Sequence, residues 1–156
     1  MAVVSRYTIA LHILTWMARV AEIRKDSATS QQIAASVNTN PVFIRRILTL
    51  LRKAKLVSVQ HGAGVGWSLA KRPEEITLRD VYEAVEQKPL FELHHSEPNP
   101  RCPIGHGIRS ALHEYYENAE HAMKRELSRV TIADLLQKTM SAAKTATNRD
   151  PSMLGQ

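Results

Sequence analysis

Two groups of residues in this sequence have types and spacings suited to chemistry. The first lies between Ser27 and Pro73, where seven basic residues (Arg45, Arg46, Arg52, Lys53, Lys55, Lys71 and Arg72) occur with no Asp or Glu. The whole chain has 21 Lys and Arg against 15 Asp and Glu, so this segment holds the entire +6 excess and the remainder is one charge negative. An acid-free run of cations is what contact with nucleic-acid phosphates requires. The second group is His94, His95, Cys102 and His106. Cys102 stands between Arg101 and Pro103 at an expected helix start, where positive charge and the helix dipole favour the reactive thiolate. Oxidation, or a disulfide to another subunit or a small thiol, is then one chemistry open to it. Cys102-x3-His106 is also one helical turn, and with His94 and His95 it has donor types suited to zinc or copper. A small residue simply packing at the helix start is the third possibility.

The elements that must position these groups follow from periodicity. From Ser5 to Arg24 apolar residues recur at helical spacing in two rows, Ile9, Ile13, Trp16 and Val20 beside Ala10, Leu14, Met17 and Ala21, and Lys25, Asp26 and Ser27 end the pattern. Thr29 with Gln32 resembles a capping box that opens a helix of barely two turns, with Ile33, Ala34 and Val37 inward. After the break Asn38-Thr39-Asn40, Asn40 and Pro41 suit the N-cap and first position of a longer helix whose buried face is Ile44, Ile47, Leu48 and Leu51. Leu56, Val57 and Val59 then favour a strand, Gly62, Gly64 and Gly66 a hairpin tip, and Trp67 to Leu69 the returning strand. Helix, tight turn, longer helix and hairpin together predict a helix-turn-helix with a wing.

Further along, Thr77 with Asp80 and Thr131 with Asp134 predict capping boxes on helices over 78–86 and 132–139. Residues 89–103 read as a linker containing four prolines, both adjacent histidines and the single cysteine. Ile104 to about Val130 reads as one helix of about 40 Å, longer than a small winged-helix module covers, so a second chain is expected to cover the rest. Residues 141–156 are small, polar and aperiodic, and read as a flexible tail. The resulting division is 1–88 for DNA binding, 89–103 for a sensor-type linker, 104–140 for dimerisation and a closing helix, and 141–156 for the tail. The fold class is mostly α with a small β-hairpin wing.

In a helix-turn-helix the second helix enters the major groove and its N-terminal residues meet base edges. Those residues are Thr39, Asn40, Pro41 and Val42, with Arg45 and Arg46 one turn on and Thr49 and Arg52 beyond. Asn and Arg suit bidentate contacts with adenine and guanine edges. Ser30 and Gln31 at the preceding helix start suit backbone phosphates. His61 and Gly62 at the wing tip suit the minor groove or the phosphate backbone. Phe43 belongs to the same N-terminal group, with a place in the core as its alternative. The expected partner is a double-stranded DNA operator.

Several classes are excluded or disfavoured. GxSxG, GxxxxGK[ST] and HExxH are all missing, and His113, Glu114, Glu117 and His121 read as a solvated helix face, so no enzyme is expected. No run approaches the ~20 apolar residues of a membrane span. One cysteine makes no internal disulfide, which fits a reducing cytoplasm.

The run LLRKAKLVSVQHGAGVGWSLAKRPEEITLRDVYEAVE resembles the Rrf-two-type winged-helix regulators of bacteria, the group of IscR, NsrR and CymR. The resemblance extends over about residues 1 to 140. It implies a homodimeric repressor on a pseudo-palindromic operator, with the long helix as the dimer element; the chemistry of Cys102 adds a redox or small-molecule signal read near that residue. This chain departs from the family pattern at His61, where the pattern has Arg, at Lys55, where it has Gly before the first strand, and at Val65, which breaks a glycine pair. Iron–sulfur members carry three cysteines before the long helix. Cys102 resembles the last of them, while Ser96 and Leu90 stand at the other two spacings. A cluster needs four ligands, mostly thiolate, so no iron–sulfur cofactor is expected. The competing readings are a winged helix used only for protein interaction and a metal-responsive regulator using His94, His95, Cys102 and His106.

Overall fold

The computed structural model describes residues 2–24, 27–62 and 64–149. Helix α1 (Ala2–Arg24) is followed by α2 (Ser30–Val37), α3 (Pro41–Lys53), strands β1 (Val57–Gln60) and β2 (Gly66–Leu69), a 3-10 turn at Pro73–Glu75, α4 (Leu78–Val85), α5 (Pro103–Leu127) and α6 (Ile132–Arg149). The expected ending of α1 at Lys25 and Asp26 lies outside the described residues. Its inward row is Ala10, Ile13, Leu14, Met17 and Ala18, which join Ile33, Ile44, Ile47, Leu48, Leu51, Ile76, Val81 and Ile132 in one core. Ile9 and Trp16 pack at its edge, while Ala21 of the predicted second row is exposed.

All three predicted capping boxes form. The Thr29, Thr77 and Thr131 side chains accept from the backbones of Gln32, Asp80 and Asp134, and those side chains accept the cap N–H in return. The last two boxes sit side by side. The Leu78 N–H donates to the Val130 carbonyl at 2.9 Å and the Ile132 N–H to that of Ile76 at 2.8 Å. The start of α6 is thereby tied to the start of α4, and α5 is a long excursion that leaves the core and returns to it. Arg6 of α1 fastens the exit of that excursion by an ion pair with Glu86 at 3.0 Å, the Glu86 side chain being only 1% exposed.

The structure corrects the expected flexible tail from Ser141, because α6 continues as far as Arg149. The stretch is aperiodic, but it contains Ala142, Ala143 and Ala146 and no Gly or Pro before Pro151. A capped and packed start carries the nucleation cost, and extension through such residues is inexpensive. Thr139 and Ser141 return their hydroxyls to carbonyls one turn back, which keeps their polar groups satisfied on the helix. Residues 150–156 lie outside the described residues.

Candidate nucleic-acid interface

The turn between α2 and α3 depends on one backbone conformation. Asn38 closes α2 at φ 60°, ψ 53°, a left-handed position that Asn tolerates better than most residues. Its N–H and that of Thr39 both return to the Ala34 carbonyl. Asn40 then caps α3, its Oδ1 accepting the Val42 N–H at 2.8 Å. Four apolar residues, Ile44, Ile47, Leu48 and Leu51, fix α3 to the core. The opposite face is turned outward: Val42, Arg45, Arg46, Thr49, Arg52 and Lys53 are exposed, with Val42 at 47%. Phe43 packs against the core.

Several predicted contact residues already have internal partners. Ser30 is buried, and its Oγ accepts from the Arg45 guanidinium at 3.4 Å, so Arg45 leans toward the start of α2. Ser30 is therefore a support for Arg45, while Gln31 beside it is exposed. The capping role of Asn40 engages one of the two lone pairs of its carbonyl oxygen, and Asn40 remains exposed. Thr49 donates its hydroxyl to the Arg45 carbonyl at 2.8 Å. Thr39 and Pro41 are half-buried. Among the described residues no carboxylate pairs with Arg45, Arg46, Arg52, Lys53, Lys55 or Lys71; Arg72 alone of the seven is paired, with Glu75 at 3.4 Å. The other six cations thus have no ion-pair partner among the described residues.

The end of α3 explains one departure from the family pattern. Lys55 has φ 59°, and the N–H groups of Lys55 and Leu56 return to the carbonyls of Arg52 and Leu51 at 2.9 Å each. This is a Schellman closure with its left-handed residue where glycine is favoured, and here a lysine holds it.

In the wing, Val57 pairs with Leu69, Ser58 with Ser68, Val59 with Trp67 and Gln60 with Gly66. Gly62 and Gly64 take φ 91° and 93°, and His61 and Gly62 are exposed at the tip. Ala63 lies outside the described residues. Ala28 exchanges two backbone hydrogen bonds with Trp67, at 2.8 and 2.7 Å, and the Ser27 hydroxyl donates to the Gly64 carbonyl. A side chain at Gly66 would meet Ser27 Oγ at 2.7 Å. Ser27 and Ala28 therefore anchor the wing to the segment before α2. No local sequence signal identifies this long-range pairing, although the close approach accounts for Gly66.

The linker places the second chemical group. Cys102 is the N-cap of α5 without a side-chain cap bond, and it is exposed. The turn before it is built by Asn99, whose Oδ1 accepts the Arg101 N–H and whose carbonyl accepts that of Cys102. A side chain at Gly105 would collide with the same carbonyl, which gives that glycine a packing role the sequence reading missed. The structure does not gather His94, His95, Cys102 and His106 into one donor group. Among the described residues no group of three or more His, Cys, Asp or Glu could hold a metal ion. Cys102 and His106 belong to the first turn of α5, whereas His94 lies farther along the helix beside Arg109, His113 and Tyr116.

No described helix is long and apolar enough to cross a membrane. Residues 3–138 match the family model described as Rrf2, iron-dependent transcriptional regulator. The chain is 42% identical to YwnA of Bacillus subtilis over 134 residues, 85% of this chain and 95% of that protein. It is 30% identical to the HTH-type transcriptional regulator NsrR of Geobacillus kaustophilus over 138 residues, 85% of this chain and 87% of the relative. The solved structure of T. potens IscR shares the fold at a TM-score of 0.66 and 19% identity, covering 88% of this chain and 87% of that one. The iron named in the family description does not fit the donors present: one exposed thiol cannot supply a cluster's mostly thiolate ligand set. Family members are transcriptional regulators and not enzymes. An outward cationic α3, a glycine-tipped wing and a match over nearly the whole described chain have one meaning: this protein belongs to the Rrf2 family of winged helix-turn-helix transcriptional regulators.

Proposed function

We propose that two copies of this chain form a repressor that binds a pseudo-palindromic operator, residues 1–88 reading DNA and residues 104–140 joining the copies. The supporting observation is the exposed face of α3, whose cations have no carboxylate partner. Phosphates supply the missing charge, so affinity should fall steeply with salt. In this reading Arg46, which has no ion-pair partner among the described residues, meets a base edge, and Val42 offers an apolar contact to a thymine methyl. Arg52 and Lys53 meet phosphates, as does Gln31. The wing tip, His61 and Gly62, lies along the adjacent backbone.

Dimerisation is supported by α5, which runs for 25 residues without one buried side chain. Ile104 and Tyr115 are 72% and 71% exposed. A soluble helix with such residues in water calls for a partner surface. The signal in this reading reaches α5 through its start, where the exposed Cys102 thiol is available to an oxidant or a small thiol.

The test is a titration of operator-length duplexes against salt, with oligomeric state followed by light scattering. Salt-sensitive binding by a dimer is expected, and the absence of a complex with any duplex at low salt would refute the reading. Cys102→Ser should abolish any change in affinity on oxidation; an unchanged oxidant response would remove the thiol from the mechanism.

A further inference from the structure

Above α5 the linker builds a second feature, unrelated to DNA contact. Phe91 stacks on Tyr116 with ring centroids 4.7 Å and planes 26° apart. This pair forms the floor of a groove of about 500 Å³ between the linker and α5, extended by Pro89 and Leu93. That volume lies in the range of roughly 300–1,000 Å³ typical of small-molecule sites. Phe91 remains 44% exposed, so aromatic surface is open to whatever enters.

The charged lining indicates what that is. Glu92, Glu117 and Glu120 line the groove with one cation, Arg109, which is already paired with Glu97 at 2.6 Å. Glu120 is paired with Lys124 at 2.9 Å, so the uncompensated acid is Glu92 and Glu117. Glu117 has only His113, at 3.3 Å, and Glu92 has no ion pair among the described residues. Hydrogen bonding from Lys124 holds the Glu120 carboxyl below its ordinary range, so it stays charged. The groove is thus locally acidic in a chain of net charge +6. Aromatic faces attract cations through the ring quadrupole, and carboxylates do so directly.

We propose that this groove binds a planar aromatic cation, stacked on Phe91 and Tyr116 with its charge toward Glu92 and Glu117. Such a ligand touches both the linker and α5. If the chain is the dimeric regulator argued above, and only in that case, occupancy biases the helix that spaces the two reading heads.

The experiment is a fluorescence titration of the full chain with berberine, a planar aromatic cation, beside the aromatic anion 8-anilinonaphthalene-1-sulfonate. Saturable berberine binding at one site per chain is expected, with the anion at least tenfold weaker. Phe91→Ala should weaken berberine at least tenfold, and Glu92→Gln and Glu117→Gln several-fold each, with unchanged circular dichroism. Berberine affinity unmoved by all three substitutions, or preference for the anion, overturns the proposal. Loss of the dimer in Phe91→Ala also overturns it, since a second copy would then be the occupant. DNA affinity is measured without ligand in parallel, so an intact DNA complex with no berberine site rejects the groove and leaves the regulator reading standing.

Discussion

At the scale of single residues the interface is defined by what each side chain is already doing. Arg46 has no side-chain hydrogen bond or ion pair among the described residues, whereas the Arg45 guanidinium donates to the Ser30 hydroxyl at 3.4 Å. Arg46→Ala should cost about 1–3 kcal/mol in DNA affinity, the worth of a bidentate base contact, with the dimer intact by size-exclusion chromatography. Loss of the dimer instead would mean that this face of α3 has been assigned to the wrong partner. Lys55 holds a left-handed conformation that glycine occupies without steric cost. Lys55→Gly should therefore raise stability in urea by up to about 1 kcal/mol, while Lys55→Ala should not. Tyr7 gives a pH dependence. Burial, and to a smaller degree the nearby Tyr82, pushes its hydroxyl up to about 12, and that hydroxyl donates to the Leu78 carbonyl at 2.9 Å. A raised pKa means that the folded state holds the proton more tightly. The contribution is complete below the unfolded value of about 10 and is lost as pH rises toward 12. Melting temperatures between pH 9 and 11 should fall more steeply for the natural protein than for Tyr7→Phe; parallel curves would assign the alkaline loss to another group.

At the scale of elements, α3 and α5 show opposite relations to the core. Ile44 of α3 is fully buried, so Ile44→Ala should destabilise the fold by about 2–5 kcal/mol and lose DNA binding as a consequence of unfolding. Leu112 of α5 is only half-buried and α5 has no buried residue. Leu112→Glu should leave the melting of the winged-helix core nearly unchanged in dilute solution yet convert the dimer to monomer in light scattering. A stable dimer with Glu at this position would place the interface elsewhere. The contrast is physical: one helix is buried along a whole face by its own chain and the other has no buried side chain.

For the whole molecule, charge placement governs behaviour with salt. The acid-free segment carries seven positive charges, and the remainder of the chain is one charge negative. The logarithm of DNA affinity should fall linearly with the logarithm of salt concentration, by about 0.9 per phosphate contact. Arg52→Ala should lower that slope by about one per subunit that makes the contact. An unchanged slope would remove Arg52 from the phosphate set.

Period and capping made most of the helices readable, because both are local properties: Thr29, Thr77 and Thr131 each carry their partner three residues on, within one turn of chain. The reading head was legible for the same reason, since Asn40, Pro41 and the apolar row behind them specify α3 and leave its cations outside. Length was less legible. The tail from Ser141 has no apolar period to betray its helix, yet the Thr131 cap and the packing of α6 on α1 carry the chain to Arg149. The site suffered most where partners are distant in sequence. The hydrogen bond from Arg45 to Ser30 spans fifteen residues and the wing anchors at Ser27 and Ala28 reach across to Gly64 and Trp67, and neither pairing has a local sequence signal. His94, on the linker, lines the groove with Arg109, His113 and Tyr116, whereas Cys102 caps α5, so closeness along the chain does not make them one group of metal donors. Bonds within one helical turn are written in the order of residues. Bonds between segments depend on how the whole core closes, and no short stretch of sequence contains them.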